Sequence, residues 1–369
     1  MHALPNRNYG NERIARMLIT DKIDSTSQGP VNEIRLRSSG RLGGTIGVET
    51  EESIKQPAGD RTLRPIEDTE GINFVSTVVK MCIEDIRAGR AAGGATRMTI
   101  KTVVSDEMLA RLSETVTGDA VGASIEGSLS VGDGYNLVYL GYNEGSRRLP
   151  QEQYESLISV ARSKEAYGTE SSTAEKVMDR IRNTSQATYR LFDNKTSFVP
   201  SQDYNDIAEL LKTFEYSYGS AIRNITAPSN TIALAYGENN NVVGVALTET
   251  SQIVLANGRV LHTVELTDFV VHPDYRDNKI SYVLAAMLIE NIFSGNIDHE
   301  LHTVFAESNV SNGIITTFAM FGGEVANILQ NHVNVVTEDG TIQHSFALMQ
   351  FRRGHIDAGN LSSVLRRAD

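Results

Sequence analysis

The stretch Glu265-Leu266-Thr267-Asp268-Phe269-Val270-Val271-His272-Pro273-Asp274-Tyr275-Arg276-Asp277-Asn278-Lys279-Ile280-Ser281 decides how the C-terminal half of the chain is read. Residues 265–272 are largely β-branched, apolar and aromatic, as a strand requires, and Pro273 ends the extended run. Ile280 then opens a pattern with Leu284, Leu288 and Ile292 on one helical face. Strand, loop and helix in that order turn the unpaired amides and the positive end of a helix toward the loop. That arrangement binds anions such as a pyrophosphate.

Working outward, the spacing predicts a helix over 203–214 (Ile207, Leu210, Leu211, Phe214) and strands over 231–236 and 242–248 flanking a turn. A strand over 260–272, the helix 280–293, a strand over 301–307, a helix over 312–320 and a closing strand over 341–351 follow. This order predicts an α/β (α+β) unit whose mixed, largely antiparallel sheet is flanked by helices. Upstream, Ile72, Val75, Val78, Val79, Cys82, Ile83 and Ile86 repeat at helical spacing, and Ala91-Ala92-Gly93-Gly94 reads as the glycine-rich end of that helix. A strand over 98–104, a helix over 106–115 and strands over 123–131 and 135–142 come next. The expected organisation is an extension of unclear fold over 1–70, an N-terminal α/β domain over 71–150, a helical linker over 151–195, the principal domain over 196–355 and a tail over 356–369.

A chain of 369 residues exceeds what one core usually serves, in line with two domains. Apolar residues make up 40% and charged residues 22%, which excludes a disordered chain. The formal net charge of −12 argues against nucleic acid as a partner and for a small molecule. Cys82 is the single cysteine, so no internal disulfide or multi-cysteine metal site is expected, and a cytoplasmic location fits. No apolar run is long enough to span a bilayer, so no membrane partner is expected. His299-Glu300-Leu301-His302, with His262, His272, His332 and His344, matches no metal-ligand spacing, and these histidines are expected at surfaces and strand edges.

A second informative stretch is Ala306-Glu307-Ser308-Asn309-Val310-Ser311-Asn312-Gly313, continuing through Phe318 to Gly322-Gly323. Together with Pro273-x-Tyr275-Arg276 it resembles the two signatures of the GNAT superfamily of acyl-CoA-dependent N-acyltransferases. Glu265 to Phe269, Ser311-x-Gly313, Phe318-Ala319-x-x-Gly322 and Asn331-x-x-Asn334 resemble, within it, the β-lysine N-acetyltransferase family. Thinner matches lie upstream in Lys101-Thr102-Val103, Ser124-Ile125-Glu126-Gly127 and Phe214-x-Tyr216-x-Tyr218. The N-terminal domain is then a degenerate GNAT-like partner of the C-terminal one.

The resemblance implies transfer of an acetyl group from acetyl-CoA to the amine of a small cationic molecule, with no metal. It places acetyl-CoA along Val270, Val271, Arg276, Asp277, Asn278, Lys279, Ile280, Ser281 and Asn309. Glu265 is the candidate base, or else a structural strand carboxylate, and Ser311 a candidate acid, or else a helix cap. Asp268 and Tyr216 are candidate contacts to the substrate. A bulge in this strand would shift the face that Asp268 takes. Two departures matter: Lys279 and Ser281 stand where the pyrophosphate loop has small residues, and Phe318 where most of the superfamily has a proton-donating tyrosine. Lys279 in particular would bring a Cβ to a position suited to positive φ. The alternative is therefore a non-catalytic binding or scaffolding protein that keeps the fold but has lost CoA. A longer acyl donor and a homodimer both stay open.

Overall fold

In the computed structural model the described residues are 7–9, 12–17, 32–38, 45–52, 61–63, 65–89, 97–117, 122–144, 149–184, 187–194, 197–212, 225–227, 229–294, 301–337 and 340–368. The N-terminal unit begins with backbone strands β1 (Arg7–Tyr9), β2 (Glu12–Met17), β3 (Asn32–Ser38), β4 (Thr45–Glu52) and β5 (Arg61–Leu63) in the region that had no legible pattern. It continues with α1 (Thr69–Arg87), β6 (Arg97–Ser105), α2 (Asp106–Thr117), β7 (Ser124–Gly132) and β8 (Tyr135–Asn143), the order expected from sequence. Asp68 caps α1 by accepting from the Gly71 amide at 2.8 Å. The helix ends at Gly89, with φ +64, ahead of the run 91–94, which lies outside the described residues. Val75, Val79 and Ile83 of α1 and Leu112 and Val116 of α2 bury against Met98, Ile100 and Leu140 of the sheet.

The polar segment after residue 150 is more ordered than its composition suggests. It forms α3 (Gln151–Thr169), α4 (Ser171–Thr184) and β9 (Thr188–Asp193). Ala161, Ala174, Val177, Ile181 and Ala187 of this segment share one core with the C-terminal helices. Most of its few apolar residues thus have partners, which come from the other end of the chain, while Val160 and Tyr167 stay exposed.

The C-terminal unit adds α5 (Asp203–Lys212), β10 (Thr231–Tyr236), β11 (Val242–Val254), β12 (Val260–Val271), α6 (Ile280–Phe293), β13 (Leu301–Asn309), α7 (Ile314–Met320), β14 (Gly323–Thr337), β15 (Gly340–Phe351) and α8 (Ala358–Ala368). Strands pair in the order β9-β10-β11-β12-β13-β15-β14. All these pairs are antiparallel except β12 with β13, which α6 joins as the crossover that parallel strands require; β5 also pairs in parallel with β11, from Ser251↔Arg61 to Ile253↔Leu63, so the N-terminal strands continue the same sheet and turn back over its face. The mixed, largely antiparallel sheet is as expected, and β9 and β14 are additions to it. The tail beyond 356 is α8, whose Leu361 and Val364 reach the same core.

Helix α6 is apolar nearly all round and buried nearly all round, since α8 packs on it opposite the sheet. Gly244 lets it sit close, because a Cβ there would stand 2.8 Å from Ile280 Cγ2. The opposite face of the sheet is covered by α5 at the β10 side and by the N-terminal sheet at the β13 side. Between the two sheets Val103, Leu129, Leu137 and Tyr139 meet Leu261, Phe305, Leu329 and Leu348. Thr303 Oγ1 and Asn327 Nδ2 donate to the carbonyls of Ser130 and Ser128, at 2.9 and 2.7 Å, tying β7 across the junction.

Gly168 of α3 marks the tightest helix contact, since a Cβ there would lie 2.6 Å from the Thr316 carbonyl oxygen and 2.7 Å from Ala319 Cβ. Gly168→Ala raises helix propensity by about 1 kcal/mol, yet overpacking costs about 1–3 kcal/mol. We expect net destabilisation in urea unfolding. An unchanged or raised midpoint would contradict this packing of α3 on α7.

Candidate active site

Strands β12 and β13 pair from His262↔Leu301 to Leu266↔Ala306 and then part. Beyond that point β12 keeps only β11, as far as Val271↔Gly244, while β13 keeps only β15, as far as Asn309↔Phe346. The cause lies in β12 itself. Val245↔Val270 and Leu247↔Thr267 leave Asp268 and Phe269 opposite the single residue Ala246, and Asp268 takes φ +53. This bulge inverts the strand's faces: Val264 and Leu266 pack with α6, but Val270 packs with α5. The parting strands expose backbone edges on Thr267–Val271 and Glu307–Asn309, a slot that can take an extended ligand by backbone hydrogen bonding.

The slot leads to the loop before α6. Pro273–Asn278 forms a 3₁₀ turn, and Lys279 ends it at φ +59, ψ 23. A lysine therefore adopts the left-handed conformation here, at a cost of about 1–2 kcal/mol. Its Nζ lies 5.8 Å from the centroid of the Tyr282 ring. No side chain caps α6, and its first turn carries no acidic residue, so the positive end of the helix faces the loop unneutralised. Arg276 and Asp277 are exposed, and the Asp277 carbonyl accepts from Arg180 of α4 at 3.2 Å. Asn278 and Ser281 are half-buried. Ile280 and Val270 are core residues, so any contact they make there is through backbone.

Asn309 and Ser311 sit together at the end of β13. Asn309 Oδ1 accepts from the Ser311 amide at 2.9 Å and its hydroxyl at 2.7 Å, and Asn309 Nδ2 lies 3.1 Å from His344 Nδ1. Ser311 does not cap α7, because the Ile314 amide is taken by Asn312 Oδ1 at 3.2 Å. Phe318 is buried and stacks edge to face on Phe269 and Phe351, at 5.1 and 5.5 Å between centroids. It can supply no proton. Asp268 is buried within the bulge. Tyr216, like Phe214 and Tyr218, lies outside the described residues.

Glu265 is not alone. Its Oε2 lies 3.1 Å from Lys101 Nζ, which also pairs with Glu307 Oε1 and stands 5.5 Å from the centroid of the Tyr139 ring. Tyr139 donates to Glu307 at 2.9 Å. The other Glu307 oxygen is 3.2 Å from His332 Nε2, and His332 Nδ1 is 3.4 Å from Glu126 Oε2. Arg97 Nη2 completes the chain, 2.5 Å from Glu126. Charged groups from β6, β7, β12, β13 and β14 thus run unbroken from Glu265 to Arg97 across the junction between the sheets.

Burial pushes the Glu307 carboxyl up, but the Lys101 charge and the His332 hydrogen bond outweigh it and hold the group well below the usual carboxylate range. Glu126 is likewise lowered, burial being overcome by Arg97 and His332. Burial lowers Arg97, whose Nε and Nη1 have no hydrogen-bond partner among the described residues. His332 is buried in this network, which corrects the expectation of surface and strand-edge histidines; His262 is buried too. Sequence reasoning overlooked Glu307, Lys101, Glu126 and Arg97 as a group. Two signals were present: Glu307 lies two residues past Phe305, the register partner of Glu265, and Lys101 and Glu126 sit in the thin upstream matches. Among the described residues no group of three or more His, Cys, Asp or Glu side chains is placed to hold a metal ion.

Both lowered carboxyls bind fewer protons folded than unfolded. Their contribution is therefore full above the ordinary value of 4.5 and is lost as pH falls through the lowered values. Lys101→Met leaves Glu307 buried without its main counter-charge and should cost about 2–3 kcal/mol at pH 7. In urea unfolding from pH 7 to 3 the gap to wild type should shrink below pH 5. A gap independent of pH would assign Lys101 to packing alone.

No protein-family model and no curated protein matches the chain. Among solved structures it is similar to the ribosomal-protein-S18-alanine N-acetyltransferase from Escherichia coli, at 17% identity and a TM-score of 0.34 over 44% of this chain and 93% of that one. It is also similar to a GNAT superfamily phosphinothricin acetyltransferase from Sinorhizobium meliloti in complex with AcCoA, at 17% identity and 0.35 over 45% and 87%. A GNAT family acetyltransferase from Streptococcus pneumoniae is similar at 14% and 0.32 over 44% and 98%. More than half of this chain lies outside each likeness, and the roles of the site residues do not rest on them.

Proposed function

We propose that this chain is an acyl-CoA-dependent N-acyltransferase that moves an acetyl group from acetyl-CoA to the primary amine of a small cationic molecule resembling β-lysine. The observation that carries the reading is the splay of β12 from β13 at the Asp268 bulge, leading directly to the uncapped start of α6. The backbone edge of Thr267–Val271 suits the extended arm of CoA, and the amides of 279–281 with Arg276 and Lys279 suit its pyrophosphate. Bound there, acetyl-CoA supplies an activated thioester.

The amine must lose a proton before it attacks, and Glu265, on the strand that borders the slot, takes it. The amine nitrogen bonds to the thioester carbonyl carbon, the C–S bond breaks, and the thiolate takes a proton from water or the Ser311 hydroxyl. Glu265 and Glu307 give this face its negative character, which favours a cationic acceptor. Asp268 contributes charge from within the bulge. Phe318 itself supplies no acid, and the Tyr275 phenol is a third candidate beside water and Ser311.

One observation favours a second reading. Glu265 is held by Lys101, so a chain that uses these carboxylates only to join its two units would keep the fold as a non-catalytic binding or scaffolding protein. Turnover separates the two. An acceptor screen with acetyl-CoA, comparing lysine, β-lysine, ornithine, polyamines and aminoglycosides, should yield acetylated product. Glu265→Gln should lower the rate by about 10²–10⁴-fold, with partial recovery at high pH where the amine deprotonates unaided. Lys279→Gly should relieve about 1 kcal/mol of backbone strain and raise thermal stability, while weakening acetyl-CoA binding. Tight binding with no acceptor turned over would favour the second reading, and a preference for neutral or acidic amines would exclude the cationic acceptor.

A further inference from the structure

A cavity of 670 Å³ opens at the junction of the two units, on the far side of the charge network from Glu265. Its walls come from the end of α2, from β7 and β8, from the start of α3 and from β14. Glu126 is the single charged side chain among its described lining residues. The remainder is mainly amide and hydroxyl, including Ser124, Asn143, Tyr154, Gln330 and Asn331. Size and position are those of a small-molecule site at a domain interface.

Two further features show local backbone bent toward this space. In β14, Leu329↔Phe346 is followed by Val333↔His344, so two extra residues bulge out between them. The bulge presents Gln330 and Asn331 to the cavity and His332 to the carboxylates behind it, and Asn331 takes φ +46. Its amide is held by Ser345 Oγ at 3.0 Å and its carbonyl by Asn143 Nδ2 at 3.3 Å. Such conformations in non-glycine residues are costly and collect at functional sites. Across the cavity, the Glu126 carboxylate lies against the backbone of Gly141, where a Cβ would stand 1.9 Å from Glu126 Oε1.

Glu126 stands at the cavity end of the network, its side chain only 8% exposed. Glu126 Oε2 already serves Arg97 and His332, while Oε1 retains lone pairs. We propose that the cavity binds a small polar amine of amino-acid or amino-alcohol size, its ammonium on Glu126 and its other polar groups on Gln330, Asn331 and Tyr154. The ligand meets the network at the end opposite Glu265. This assignment does not rest on acetyl-CoA binding.

The test is thermal-shift and calorimetric titration of the full chain with L-lysine and ethanolamine, with acetate and glycerol as controls at matched ionic strength. Both amines should stabilise saturably, and neither control should. Ser124→Leu fills the cavity without touching an ion pair, and should weaken amine binding by at least about tenfold. Glu126→Gln should do the same, and if it fails to fold, Ser124→Leu still decides. Equal responses to acetate, no saturable response to either amine, or binding that survives Ser124→Leu but falls in Glu265→Gln would each overturn the proposal. Acetyl-CoA should bind Ser124→Leu as it does wild type: loss of CoA binding in this variant alone would overturn the separate cavity site, whereas a wild type that binds the amines but no acetyl-CoA would count against the acyltransferase reading and not against this one.

Discussion

The structure depends on one backbone event, the bulge at Asp268. A parallel pair such as β12 and β13 would otherwise stay closed along its length, because every residue paired satisfies a donor and an acceptor. The extra residue inverts the faces of β12, sends Val270 to the α5 side, and lets β13 follow β15 instead. A slot lined by backbone results, within a sheet whose other strands remain paired. The same inversion leaves Glu265, before the bulge, facing the N-terminal unit while Phe269, after it, faces α7.

The second constraint is electrostatic. Packing one sheet on another buries polar groups that cannot be left unpaired, and the junction answers with a chain of ion pairs from Arg97 to Glu265. Lys101 and Tyr139 are register partners on adjacent strands, so β6 and β8 together bring the ammonium and the phenol to Glu307. The two units are therefore joined by apolar packing around Leu129 and Phe305 and by a charge network that runs beside the candidate site.

Much of the fold was legible because it rests on local pattern. The strand–loop–helix at 265–293, the α1 repeat and the β7–β8 hairpin across Gly132-Asp133-Gly134 carry periodicity and turn chemistry in consecutive residues. Strand β14 was not legible, since Asn327, Gln330, Asn331 and His332 break its alternation, and their partners are Ser128, Leu149, Asn143 and Glu126, about 180 to 200 residues away in sequence. The helical character of 151–184 was expected, but not where α3 and α4 pack, because their few buried positions meet α7, α8 and β14 from the far end of the chain. At the candidate site, the place of Glu265 on a strand and of the loop to Ser281 before a helix could be read from the order of elements, while their roles came only from the resemblance to GNAT enzymes. The partnership of Glu265 with Lys101 and Glu307 could not, because it is a contact between two units.

The most direct test of the central claim is amide hydrogen exchange, read by mass spectrometry with and without saturating acetyl-CoA. The account predicts slowed exchange in peptides covering residues 267–283 and 307–312, where the parted strands and the start of α6 offer backbone groups, with little change over 124–143. Unchanged exchange across 267–283 under conditions where acetyl-CoA binds would contradict it.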